Sequence, residues 1–156
     1  MSDLLPLTLQ IRAARPGDLA GVLNLYRRIK PNEAPIEGVQ QRWRDILAQT
    51  DRAVLIVDDG VELLATAQLG FLRLPDGQRG AVLMEYAMRQ DIAGLQQLHL
   101  YLLRGVLREA KQAQCVSIWI AGAAQQTERA DDYTSLGFSG DAENGYQLGL
   151  EPSTGL

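Results

Sequence analysis

One histidine, one cysteine and a carboxylate stranded in an apolar run are the residues of this 156-residue chain whose types could do chemistry. The carboxylate is Glu85, the single acid within AVLMEYAMR. A lone acid in such a run is costly to bury unless it is paired or solvated. Glu85 therefore faces a polar groove, pairs with an arginine, or serves as a base. His99 lies at the start of LHLYLLRGVLREAKQ. Its imidazole could act as a general base, but the plainer expectation for a histidine near a helix start is a side chain facing solvent. Cys115 opens CVSIWI and reads as a small core residue rather than a nucleophile. With one cysteine and one histidine, an internal disulfide is excluded and a Cys/His zinc site is not expected.

The stretch from Ala81 to Gln112 must position these groups. Ala81 to Arg89 reads as a buried strand. After a short loop, Leu95, Leu98, Leu102, Val106 and Ala110 recur at helical spacing, with Lys111 in the last turn where a cation suits the helix dipole. A strand running into a helix N-terminus leaves backbone N–H groups pointing outward, a common place for a phosphate. Before it, LTLQIRA (Leu7–Ala13) alternates as a strand, and Leu19, Val22, Leu23, Tyr26 and Ile29 form a helical stripe. The two prolines of KPNEAPIEG mark a loop, and a second helix is predicted over Glu37–Gln49 with Trp43 inward. Arg52–Val57 and Val61–Leu74 read as a hairpin about Asp58-Asp59-Gly60, the return strand bending near Gly70. Pro75-Asp76-Gly77 is a further turn. Cys115–Ile120 is a strand, Thr127–Leu136 a short helix closed by Gly137, and Gly145–Leu150 a last strand. Trp119 is read as a core or interface aromatic, and 1–6 and 151–156 as loose tails.

The order β, α, α, β, β, β, α, β, α, β implies one α/β domain over residues 1–156. Its sheet should be mixed and mostly antiparallel, flanked by about four helices. With 46% hydrophobic residues the chain can fill a core. A net charge of −4 does not suit a nucleic-acid binder. No run approaches the roughly 18–20 apolar residues of a membrane span. MSDLLPLTL lacks the basic start of a signal peptide, so a cytoplasmic protein is expected.

This order, with three local patterns, resembles the GNAT superfamily of N-acetyltransferases, which move an acetyl group from acetyl-CoA to an amine. IRAARPGDLAGVLNLYRRI looks like the family's first strand and helix. AVLMEYAMRQDIAGLQQLHLYLLRGVLREAKQAQC is similar to its cofactor strand, pyrophosphate loop and following helix, and DDYTSLGF to its tyrosine-bearing helix. The resemblance implies a central GNAT-like sheet, acetyl-CoA as co-substrate and direct transfer to a small-molecule or protein amine. It also implies Glu85 as base, often through water, and Tyr133 as the acid that protonates the departing sulfur. A phenol, with a pKa of about 10, is protonated at neutral pH and suits that role. The plainer reading of Tyr133 is a ring packed on Phe138. Backbone groups of Met88 and Arg89 would meet the pantetheine arm and the acetyl carbonyl. Acids flanking the acceptor pocket, among them Glu33, Glu37, Asp131 and Asp132, would suit a cationic amine, and an exposed sheet edge would suit a homodimer.

The family loop runs Arg/Gln-x-x-Gly-x-Gly/Ala, and Gly94, Leu95, Gln96, Gln97, Leu98 and His99 fall on it here. Gln97 and His99 stand where small residues admit the pyrophosphate to backbone amides. Losing two such bonds at roughly 1.5–3 kcal/mol each would weaken binding on the order of a hundred-fold or more. The nearest cations are Arg89 and Arg104. The alternative is thus a GNAT-like binding or dimerisation module that has lost acetyl-CoA.

Overall fold

A computed structural model of the chain describes residues 8–29, 37–121 and 130–151. Its strands are β1 (Gln10–Ala13), β2 (Arg52–Asp58), β3 (Leu63–Arg73), β4 (Arg79–Met88), β5 (Cys115–Ile120), β6 (Ser139–Asp141) and β7 (Gly145–Gly149). Its helices are α1 (Leu19–Ile29), α2 (Val39–Ala48), α3 (Leu95–Gln112) and α4 (Ala130–Ser135), with a 3-10 turn at Pro16–Asp18. One sheet takes the order β1-β2-β3-β4-β5-β7-β6. Only the β4–β5 pair is parallel, because α3 carries the chain back between them. The single mixed α/β domain read from the sequence is the one observed. Glu33, the interhelical loop apart from its last residues, Thr127–Arg129 and both tails lie outside the described residues.

Two layers cover the sheet. β2 shows the division: Leu55 and Val57 join the cluster under α3 and α4, while Val54 and Ile56 pack with Val22 of α1 and Trp43 of α2. The α3 stripe is buried as its spacing requires, with Leu98, Leu102, Val106 and Ala110 inward. Gly105 lets the helix press onto β1, since a Cβ there would lie 2.2 Å from the Ile11 side chain.

The geometry departs from expectation at two places. The last strand is a hairpin, β6 with β7, and Asp141 Oδ1 closes its turn by accepting from the N–H groups of Glu143 and Asn144. Polar Ser139-Gly140-Asp141, exposed throughout, carries no apolar pattern to announce a strand. The bend anticipated at Gly70 of β3 is instead a bulge on β4. Gln68 pairs with Glu85 and Leu69 with Leu83, so Met84 has no opposite number. Gly70 makes room for it, since a Cβ there would sit 2.7 Å from the Met84 sulfur.

Arg12 ties β1 to the start of α1. Its guanidinium donates from both terminal nitrogens to Asp18, at 2.8 and 2.9 Å, and from Nε to Asp58 at 2.9 Å. The bond from Arg12 holds the Asp18 carboxyl below the usual carboxylate range, against the opposing effect of burial. A depressed folded pKa contributes stability that is complete above the unfolded value of about 4 and drains as pH falls through the folded value. Arg12→Ala should therefore lower stability at neutral pH and flatten its decline below about pH 4, as read by urea unfolding across the acid range. At Gly140, φ is +134° and an added Cβ would meet the Gly145 carbonyl oxygen at 2.0 Å. Gly140→Ala should cost roughly 1–3 kcal/mol in the same unfolding assay.

Candidate active site

Leu83, Tyr86 and Met88 all belong to the buried cluster under α3. Strand side chains alternate between faces, so Leu83 and Tyr86, three apart, could not share one without the extra residue at Met84. The bulge thus turns Tyr86 toward α3 and α4 and sends Glu85 to the opposite face, toward α1.

On the α1 face Glu85 is exposed. Tyr26 of α1 lies near it, and its phenol is pushed well above its ordinary pKa, first by burial and then by the charge of this carboxylate. Among the described residues no arginine pairs with it, and its neighbour on this face is a tyrosine. Tyr26 was legible only as part of the α1 stripe.

β5 pairs with β4 only as far as Leu83 opposite Ile120, so among the described residues the β4 edge beyond Leu83 has no strand paired to it and a wedge opens there. The Arg89 N–H donates to the Leu64 carbonyl of β3 at 2.9 Å. Because successive residues of a strand aim their backbone groups to alternate sides, Met88 directs its N–H and C=O toward the wedge. The Met88 carbonyl accepts from Gln90 Nε2 at 3.2 Å, whereas the Arg89 N–H is engaged within the sheet. The Arg89 side chain is engaged too, with Glu62 and, at 2.9 Å, with Asp91. Arg104 is exposed on α3.

Beyond the wedge α3 starts abruptly. Gly94 is its N-cap at φ +74°, a left-handed conformation that favours glycine. Leu98 N–H already donates to the Gly94 carbonyl at 3.0 Å. The outward amides of the first turn are those of Gly94, Leu95, Gln96 and Gln97, while Leu98 and His99 lie deeper in the helix with fully buried side chains.

His99 corrects the expectation of a solvent-facing residue. It lies on the inner stripe, in step with Leu103 and Val106 at plus four and plus seven, and that spacing was the signal available in the sequence. Its Nδ1 stands 2.6 Å from Asp132 Oδ2, and Gln96 Nε2 donates to the other carboxylate oxygen at 3.2 Å. Its Nε2 stands 2.9 Å from the Tyr86 hydroxyl, which in turn meets the Tyr133 hydroxyl in a short contact. Four side chains from β4, α3 and α4 thus form one buried chain: Asp132, His99, Tyr86, Tyr133. Rings support it, with Tyr86 stacked on His99 at 5.5 Å between centroids and Tyr133 against Tyr146 at 4.8 Å. The Tyr133–Phe138 contact expected from the sequence is present as well, edge to face at 6.2 Å. Asp132 sits in the first turn of α4, where the helix dipole favours a carboxylate. Asp131 and Glu37 are exposed. Cys115 is fully buried and burial pushes its thiol up, which suits a core residue.

This is the fold of the GNAT N-acetyltransferases. No protein-family model matches the sequence, and no curated protein matches it. Solved structures do. One is a protein of Agrobacterium tumefaciens strain C58 described as an acetyltransferase, with a TM-score of 0.73 and 21% identity over 85% of this chain and 94% of that one. Another is glucosamine-6-phosphate N-acetyltransferase from Arabidopsis thaliana, with a TM-score of 0.71 and 15% identity over 94% of this chain and 99% of that one. A third, from Clostridium acetobutylicum, is a protein described as an acetyltransferase and solved with acetyl-CoA, with a TM-score of 0.65 and 18% identity over 92% of this chain and 96% of that one.

The polar chain should be costly to interrupt. Tyr86→Phe keeps the ring but strips His99 and Tyr133 of a buried partner, and should lose about 1–3 kcal/mol. Equilibrium urea unfolding of the variant checks this.

Proposed function

We propose that the protein is an acetyl-CoA-dependent N-acetyltransferase that carries an acetyl group directly to a primary amine of a small molecule or a protein. The observation that supports this reading is the open edge of β4 beyond Leu83: Met88 turns its backbone to it, Glu85 lies on the α1 face two residues past the last pair with β5, and Tyr133 lies buried against Tyr86 under α3. Acetyl-CoA, the second substrate, supplies the activated acyl group. Met88 N–H would hold the thioester or pantetheine end, and Gly94, Leu95, Gln96 and Gln97 would offer first-turn amides to the pyrophosphate. Leu98 and His99 do not fit as donors, since both lie beyond the outward amides.

Only the neutral amine attacks, so its proton must leave. Glu85 is the base in this reading, with the Tyr26 phenol near it. Tyr133 is the acid that gives the departing sulfur its proton. The exposed carboxylates Glu85, Asp131 and Glu37 favour an acceptor that arrives as a cation.

A second reading has its own support. Arg89 is already occupied by Glu62 and Asp91, and Asp91 places a carboxylate in the loop ahead of α3. That arrangement suits a binding or dimerisation module without acetyl-CoA. Calorimetric titration with acetyl-CoA at moderate salt separates the two. Micromolar binding, with CoA also raising the melting temperature, is the expected result; no binding at millimolar acetyl-CoA would sink the enzyme reading. Given turnover, Tyr133→Phe should slow it on the order of a hundred-fold, and a variant retaining full rate would remove Tyr133 from the mechanism.

A further inference from the structure

We infer that the acceptor is a primary amine joined by a short spacer to an aromatic body, and that Met84, Val82 and Trp119 form the platform for that body. The inference rests on the acetyl-transfer reading for what happens to the amine, but not for the binding of such a cation beside Glu85.

The β4 bulge builds one end of the platform. Leu69 and Leu83 pair and belong to the cluster under α3. Gly70, next along β3, therefore faces α1. A Cβ on Gly70 would meet the Met84 sulfur, so Met84 lies on the α1 face beside Glu85. Regular alternation would separate two consecutive side chains, and the bulge brings this thioether and carboxylate together. From there the face continues across the sheet. Gly70 pairs with Val82, and Val82 with Trp119. The Trp119 indole N–H donates to Gln147 Oε1 at 3.0 Å, and a Cβ at Gly80 would lie 2.8 Å from the far edge of its ring. The ring thus lies across the sheet, held toward β7 on one side and reaching over β4 on the other. Leu72, opposite Gly80, and Leu74, beside it, extend the strip.

Among the described residues, none of these apolar side chains joins either core cluster. Leu72 is 42% exposed, and Leu74, Val82, Met84 and Trp119 are half-buried. Side chains so placed leave open an area nearer to the roughly 150–250 Å² that one aromatic residue buries than to the roughly 800 Å² each partner buries in a standard protein interface. The strip is sized for a small ring rather than for a second copy of the chain.

Charge complementarity sets the other end. Glu85 is exposed and belongs to no ion pair among the described residues, which suits an ammonium group. Glu85 and Val82 stand opposite Gln68 and Gly70, so about 7 Å separates them along the strand. A few methylenes bridge that gap, with the spacer over Met84 and the ring over Val82 and Trp119. The thioether and the indole both favour an aromatic ring. A sugar amine would instead set hydroxyls against the strip and leave them without partners.

The chain has two tryptophans, Trp43 and Trp119, so protein labelled with nitrogen-15 tryptophan gives two indole signals. Trp43 is buried among α1, α2 and β2 and serves as the internal reference, and Trp119→Phe assigns the pair. Titration with phenylethylamine, with and without CoA, should shift the Trp119 signal saturably and leave that of Trp43 in place. Glucosamine at the same concentration should shift neither. Val82→Thr keeps the side-chain shape and puts a hydroxyl in the strip. It should weaken phenylethylamine binding about ten-fold, and in acetyl transfer from acetyl-CoA the loss should fall in KM rather than kcat. An unmoved Trp119 signal, or equal shifts from both amines, overturns the inference. So does a wild-type dimer in sedimentation that Val82→Thr dissociates, because the strip would then belong to a second copy. Failure to bind acetyl-CoA overturns the enzyme reading and leaves the amine titration to decide the platform.

Discussion

One residue inserted into one strand governs the site. Met84 has no partner on β3, and the bulge it makes reverses the alternation of β4 beyond it. Upstream, β4 is an ordinary interior strand, paired on both sides. Downstream, Glu85 looks to α1, Tyr86 looks to α3, and the edge facing β5 is released. A regular strand would have exchanged Glu85 and Tyr86 between faces, burying a carboxylate under α3 and pointing a phenol at α1. The acid, the phenol and the parting of the sheet are thus consequences of a single register change. Gly70 supports it by leaving space over the bulge.

The second constraint is that the buried end of the wedge is polar. Three hydroxyl or imidazole groups and a carboxylate lie among Leu98, Leu102 and Ile120. Such groups persist in a core only when each has its partners, and here each one satisfies the next. The chain joins β4, α3 and α4, which the sheet's hydrogen bonds alone do not connect. It therefore fixes the angle at which α4 meets the sheet, and with it the place of Tyr133.

Much of this was legible in the sequence, and the reasons are local. Apolar periodicity gave α3 its inner face, and Asp-Asp-Gly and Pro-Asp-Gly gave the turns that order β2, β3 and β4. Glu85 stood out because charge is rare in a buried strand. What escaped was long-range or lacked hydrophobic contrast. The β6–β7 hairpin is built from exposed polar residues. The bulge depends on pairing between strands, which a one-dimensional pattern does not record. The nearness of His99 to the helix start points to solvent, although its step to Leu103 and Val106 places it on the buried stripe. In the sequence Asp132 is an acid beside Tyr133, but its partnership with a residue 33 positions away is a product of the fold.

The interdependence of Tyr86, His99, Asp132 and Tyr133 also bears on how such a chain can change over generations. Exchange of any one member takes a partner from another polar group in the interior, so the first substitution is a loss whichever position it strikes. The way out is to convert the whole group to hydrocarbon or to restore the missing link. Descent should therefore treat these four scattered positions as one inherited character, kept together or abandoned together.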